Sequence, residues 1–238
     1  MTSPQSAKLA LIAALEREVA PLIKSAHRVD RTHESRTFRF FEQGDTVLVC
    51  GGIGAAPARR AAEAVIALYH PTLLHSVGFA GALQTDLHVG EIFSPAAVID
   101  ARDGSRTEIE GGKGILLTFM AVAGPQQKAT LACSYAAQAI DMEAAAVAAA
   151  ARAHGINFAA TKVISDGLDF EMPETTRFID SQGSFKTASF ALFAALRPWL
   201  WRRLATLARN SNKAARALAG HLTDVPHHQH EAVAPRIT

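Results

Sequence analysis

Cysteine is nearly absent: among 238 residues only Cys50 and Cys133 occur. They show neither metal-ligand nor redox spacing, and each lies in an apolar segment, which reads as two buried free thiols in a reducing compartment. Long hydrophobic runs are missing too. No apolar stretch reaches the roughly 20 residues of a membrane-spanning helix. The short block "KLALIAAL" is interrupted at once by Glu16, Arg17 and Glu18, so it reads as a first buried strand and not as a leader. Nor is there an excess of either charge. The net charge of +2 makes no general electrostatic case for a nucleic-acid partner. These absences point to a cytoplasmic globular protein. One absence is local: from Thr187 through Thr223 no acidic residue occurs, while Arg197, Arg202, Arg203, Arg209, Lys213 and Arg216 do.

What is there is apolar and alternating. Hydrophobic content is 49% and charged content 19%, enough for one sizeable core. "LALIAAL" reads as a strand and "EREVAPLIKSA" as a helix with Val19, Leu22 and Ile23 on one face. "TFRFFEQ" and "TVLVCGGI" read as strands paired around a Gly44-Asp45 turn. "ARRAAEAVIALYH" is a helix closed by Pro71, and "TLLHSVGFAG", "EIFSPAAVID" and "GILLTFMAV" are further strands. "PQQKATLACSYAAQA" and "EAAAVAAAARAHG" read as helices, "NFAATKVIS" as a strand, and the rest to about Leu222 as mostly helical. Near-continuous apolar strands alternating with helices predict an α/β layered fold with a buried sheet. "DGSRTEIEGGKG" (103–114) is read as a loop. Residues 1–225 form the expected domain, and 226–238 a disordered tail whose His227, His228 and His230 are solvated and hold no metal.

Acids stand in unexpected places. In "AIDMEAAAV" Asp141 and Glu143 sit where an apolar run turns into a helix, and in "KVISDG" Ser165 and Asp166 end a buried strand. Burying an unpaired carboxylate costs several kcal/mol or forces its protonation. In a buried-sheet fold, ligands gather at strand ends. Five stretches fall there: "ALEREV" with Glu16 and Glu18, "GGIG" (51–54), "GFAGAL" (78–83), "DMEA" and "ISDG". Singly each is bland: a glycine turn, a helix cap, a surface acid. Their order and spacing together are more specific.

The set resembles the nucleoside phosphorylase and nucleosidase superfamily over Lys8 to Leu168, in particular the methylthioadenosine/S-adenosylhomocysteine nucleosidases. "ALEREV" matches a motif like "AMEEEV", "GGIG" a "GIG" segment, "GFAGAL" a "GSAGGL" segment, "IDMEA" a "VEMEA" segment, and "ISD" is unchanged. The resemblance implies a single-domain three-layer α/β sandwich around a mixed, partly barrel-like sheet, assembled as a homodimer or higher homo-oligomer. It further implies cleavage of a purine N-glycosidic bond, with an adenine nucleoside as partner and no metal or organic cofactor.

By the same resemblance, Glu18 activates the attacking water and Asp166 delivers a proton to the purine, oriented by Ser165. Met142 and Glu143 contact the ribose, Ala80 and Gly81 supply backbone near sugar and base, and Val122 lies beside the purine. Protonating a poor leaving group requires Asp166 to carry a proton at neutral pH, hence a desolvated site, while Glu143 stays ionised. Gly52, Gly54 and Arg59 are candidates for binding phosphate as co-substrate. Glu18 would repel such an anion, and water versus phosphate stays open.

The pattern departs from the family in places. Phe79 replaces a serine, either lining the pocket or filling core, and Asp141 replaces a glutamate. The segment between Ile99 and Ile115 is short. The shortened middle, "DME" and "SDGLDFEMP" look more like the hopanoid-associated phosphorylase branch, which is implied to release adenine from adenosylhopane. The basic, aromatic 190–216 stretch, with Phe190, Phe193, Trp199 and Trp201, reads either as a peripheral membrane contact or as a core-packed helix with a basic outer face.

Overall fold

A computed structural model describes residues 7–171, 178, 183, 190 and 200–224. The expected tail at 226–238, and Phe193, Arg197 and Trp199, lie outside the described residues.

Strand β1 (Leu9–Ala13) is buried on both faces, as its unbroken apolar run predicts. The helix expected over "EREVAPLIKSA" does not form. A 3₁₀ turn at Glu16–Glu18 is followed by turns, with Val19 N–H bonding to Glu16 O at 3.3 Å and Leu22 N–H to Val19 O at 2.9 Å. Pro21 is the physical reason: it lacks a donor and its ring clashes with a helical backbone before it. The chain then enters a strand the sequence pattern did not mark, β2 (His27–His33), which pairs with β3 (Arg36–Gln43). The hairpin from β3 to β4 (Thr46–Cys50) forms around Gly44-Asp45 as expected.

Helix α1 (Ala55–Tyr69) starts after Gly54, whose φ of 100° suits glycine, and stops at His70 ahead of Pro71. Strand β5 (Leu73–Ala82) follows. "EIFSPAAVID" is not one strand but two, β6 (Ile92–Phe93) and β7 (Ala97–Asp100), divided at Pro95, which cannot donate to a ladder. The 103–114 loop contains a short β8 (Arg106–Glu108), and β9 (Ile115–Thr118) is shorter than its apolar run. Helix α2 (Pro125–Tyr135) ends four residues before the expected Ala139, and Ala136 turns left-handed so that β10 (Ala139–Asp141) can join the sheet. Helix α3 (Ala144–Ala153), strand β11 (Asn157–Asp166) and helix α4 (Trp201–Asp224) complete the described elements.

All eleven strands belong to one mixed sheet of order β2-β3-β4-β1-β5-β10-β9-β7-β8, with β11 pairing β5 and β6. Strand β5 is its hub. It carries β1 along Leu73–Ser76, β10 at Gly81–Ala82, and β11 along nearly its whole length. One strand with three neighbours curls the sheet toward a partial barrel.

Period-two alternation sorts the core into layers. Ala10, Ile12, Phe40, Val47 and Val49 face α1 and α3, where alanines at 58, 61, 62, 146 and 150 allow close approach. The alternate residues Leu11, Phe41 and Leu48 face Ala214 and Leu218 of α4. Each such fully buried large side chain contributes about 1.5–3 kcal/mol. The cysteines correct the expectation of buried thiols: both are free, but Cys50 is half-buried and Cys133, on the outer side of α2, is exposed. Among the described residues, no helix is long and apolar enough to cross a membrane.

Candidate active site

Strand β5 exchanges β1 for β10 as its neighbour near its carboxyl end, and a cavity of about 410 Å³ opens there. Glu18, Phe79, Ala80, Gly81, Val122, Met142, Glu143, Ser165 and Asp166 all line it. Segments as far apart in sequence as the turn after β1 and the end of β11 thus meet around one space.

The local backbone explains how. In β11 the register against β5 slips between Ile164 and Asp166, a bulge. Regular pleating would send Ser165 and Asp166 to opposite faces; the bulge lets both line the cavity. Ser165 Oγ donates to Asp166 Oδ1 at 2.7 Å, and Lys128 Nζ donates to Asp166 Oδ2 at 2.5 Å and to Gly167 O at 2.8 Å. Gly81 makes room for the pair: a Cβ there would sit 2.9 Å from Asp166 Oδ2 and 3.2 Å from Lys128 Nζ.

Glu18 reaches the cavity from the 3₁₀ turn, and the nearby Phe79 and Ala14 backbone amides favour its charged form. Gly78, at φ 138°, is required beside it, since a Cβ would lie 2.5 Å from Glu18 Oε2. Burial pushes the Glu18 carboxyl up to about 7, against the opposing charges of Lys162 and Arg17. Glu143 accepts from Gly54 N–H at 2.7 Å and Met142 N–H at 3.2 Å. Burial, then the negative charge of Asp141, pushes its carboxyl up too, while Lys162 and the Gly54 amide pull the other way. Both oxygens accept N–H groups, the pattern of an ionised carboxylate.

Two features differ from the sequence reading. Asp166 was expected to stand desolvated; it is buried, but Lys128 Nζ, a partner the sequence did not mark, donates to it. The second concerns phosphate. Gly54 N–H is taken by Glu143, Gly52 and Arg59 do not line the cavity, and Arg59 is exposed on α1. Phe79 both lines the cavity and packs against the core cluster under α4.

Several lining residues were given no place in the site by the sequence: Leu15, Arg17, Ile53, Lys128 and, from the C-terminal segment, Phe190, Leu207 and Ser211. Beside them is Lys162, fully buried, whose Nζ lies 3.0 Å from Asp141 Oδ2 and donates to Ser76 Oγ at 3.0 Å. Asp141 also accepts from Thr118 Oγ1 at 2.6 Å and from Ala144 N–H at 2.8 Å, satisfying the first amide of α3. Lys162 carried a signal, a charge inside the apolar run of β11. Lys128 carried none, because a lysine on an ordinary helix usually faces water. Among the described residues, no group of three or more His, Cys, Asp or Glu could hold a metal ion.

The chain matches the phosphorylase superfamily over residues 8–134 and 118–197. No curated protein matches its sequence. Among solved structures, futalosine hydrolase of Helicobacter pylori strain 26695 superposes with a TM-score of 0.66 at 15% identity, covering 92% of this chain and 98% of that one. The 5′-methylthioadenosine/S-adenosylhomocysteine nucleosidase of the same organism gives 0.66 at 16%, with 93% and 100% covered. Arabidopsis thaliana 5′-methylthioadenosine nucleosidase gives 0.69 at 18%, with 92% and 94% covered. At these identities the likeness is one of fold.

Proposed function

The chain belongs to the phosphorylase superfamily, and on that footing we propose that it cleaves the N-glycosidic bond of an adenine nucleoside bearing an apolar 5′ group, with water as nucleophile. The observation that carries this reading is the gathering of Glu18, Glu143 and the Lys128–Asp166 pair around one cavity. The solved structures of like fold include nucleosidases named for methylthioadenosine and a hydrolase named for futalosine.

Bond cleavage leaves positive charge on the sugar and negative charge on the departing purine. Glu143, held by two backbone amides, accepts hydrogen bonds from ribose hydroxyls and favours positive charge at the anomeric carbon. Glu18, poised near neutrality, takes a proton from the attacking water, a task for which a base of that strength is matched. The Asp166 corner supplies the proton the purine needs. Water is favoured over phosphate because the candidate anion donors are engaged or turned away and two buried acids face the nucleophile's side.

Leu15, Ile53, Phe79, Phe190 and Leu207 give the cavity an apolar side, which supports an apolar 5′ substituent. Adenosylhopane is the substrate the sequence resemblance favours. Trp201 is 56% exposed, and Arg202, Arg209 and Arg216 are exposed on α4. That face suits contact with a lipid surface where such a substrate would reside. A panel of adenosines carrying 5′ hydroxyl, methylthio and long alkylthio groups, with adenine release followed by absorbance, tests the reading. Release that rises with alkyl length is expected. Nucleoside binding without release from any member would instead indicate a catalytically silent binding protein.

A further inference from the structure

Each backbone amide of the glycine turn ahead of α1 has an acceptor. Gly51 N–H donates to Ala13 O at 3.0 Å and Gly52 N–H to Ala14 O at 3.0 Å, which ties the turn to the end of β1. Gly54 N–H is held by Glu143. Ile53 N–H donates at 2.9 Å to the carbonyl oxygen of Gly183, from the stretch between β11 and α4. Gly183 is buried at φ 80°, and a Cβ on it would lie 2.6 Å from Ile53 O, 2.6 Å from Pro57 Cγ and 2.8 Å from Ile53 N. Two of those atoms are backbone and the third belongs to a proline ring, so none can swing aside; glycine alone fits the contact. From the same stretch, Phe178 is buried and packs edge-on against Phe190, ring centroids 5.3 Å apart. Ile53 and Phe190 both line the cavity on its apolar side, whereas Gly183 and Phe178 stand behind them and do not line it.

We propose that Gly183 is a positioning residue for substrate selectivity: seated on the Ile53 amide, it fixes the apolar wall that receives the 5′ group. The inference rests on the reading above, cleavage of a nucleoside with an apolar 5′ group, and deepens it. The backbone hydrogen bond fixes Gly183 relative to Ile53, and the ring pair fixes Phe190 relative to Phe178. The surface offered to a 5′ chain therefore depends on Gly183 being seated. A gap of roughly 0.5–1 Å forfeits a quarter to a half of a dispersion contact, so a small displacement of this wall weakens its grip on the chain. The reacting groups are held elsewhere. Glu143 keeps the Gly54 and Met142 amides, and Ser165 and Lys128 keep Asp166. The Gly51 and Gly52 amides hold the turn on β1 without Gly183. The effect thus falls on binding of the 5′ group and not on bond cleavage.

The experiment compares adenosine with 5′-deoxy-5′-hexylthioadenosine in the wild type, G183A and F178L. Alanine unseats the contact; leucine keeps a buried apolar side chain at 178 and removes the ring pair. Each buried methylene contributes about fourfold in affinity, so lost contact with one or two of them raises KM for the hexylthio substrate roughly four- to fifteen-fold. G183A is expected to show that rise relative to its KM for adenosine, with the kcat ratio of the two substrates unchanged. F178L is expected to shift the KM ratio in the same direction by a smaller factor, and it carries the test should G183A fail to fold. A KM ratio equal to that of the wild type in every variant that folds would overturn the proposal, as would equal changes on both substrates, which mark a folding role only. A wild type that releases adenine from neither substrate, or without preference for the hexylthio group, overturns the apolar 5′ reading together with this inference. A wild type with that preference, and variants that keep it, overturns this inference alone.

Discussion

Gly54 N–H donates to Glu143 Oε1 across 2.7 Å, joining residues 89 apart in sequence. The amide of the glycine turn ahead of α1 is therefore engaged by Glu143. A charge-assisted bond from a fixed amide orients a carboxylate more firmly than a flexible side chain could. It also ties the first half of the fold to the segment that starts α3.

With Glu18 as the proposed base, the rate should depend on pH. To accept a proton from water it must be ionised, and its carboxyl is pushed up to about 7 by burial. The kcat for adenine release should therefore rise as pH passes through about 7. E18Q should remove that rise and lose about 10²–10⁴-fold. Stopped-time assays from pH 5.5 to 9 on both proteins check it.

The same residue predicts a trend in stability. Its ordinary value is 4.5 and its folded value about 7, so the folded protein binds this proton more tightly than the unfolded chain. Glu18 therefore adds no penalty below about pH 4.5, an increasing one up to about 7, and a constant one above, on the order of 3 kcal/mol. Urea unfolding at pH 5 and pH 8 should show E18Q gaining on the wild type at the higher pH.

Gly81 is predicted to be a precision element. In G81A the new methyl would press on Asp166 Oδ2 at 2.9 Å and Lys128 Nζ at 3.2 Å. Displacing reacting groups by a fraction of an ångström to an ångström can lower turnover by up to about 10²-fold. Steady-state kinetics should show a fall in kcat with the urea midpoint little changed.

Much of this was legible in the sequence, and the failures have physical reasons. The strands β1, β4, β5 and β11 announced themselves because each is buried on both faces and so nearly all apolar. β2, "HRVDRTH", did not, because it is polar and largely exposed and holds only by pairing with β3. The acids were found because they break apolar runs. The partner of Asp166 was missed because it comes from α2, 38 residues away, a relation no local pattern carries. Asp141, noted only as an acid where an apolar run turns into a helix, is the counter-ion of Lys162 and accepts from the first amide of α3.

That counter-ion role yields a further expectation. Lys162 is the buried cation nearest to Asp141, and its charge also bears on Glu18 and Glu143. K162M would leave three buried acids without it, and breaking such a pair costs about 3–5 kcal/mol. Its urea midpoint should fall accordingly, and in whatever folds, the acid limb of the pH–rate curve should move to higher pH.

The most direct measurement is base release in phosphate-free buffer from an adenine nucleoside, comparing the wild type with E143Q under identical conditions. The wild type is predicted to liberate free adenine and the corresponding free sugar without added phosphate, with E143Q slower by at least about 10²-fold. Release that strictly requires phosphate, or equal release by E143Q, would contradict the account.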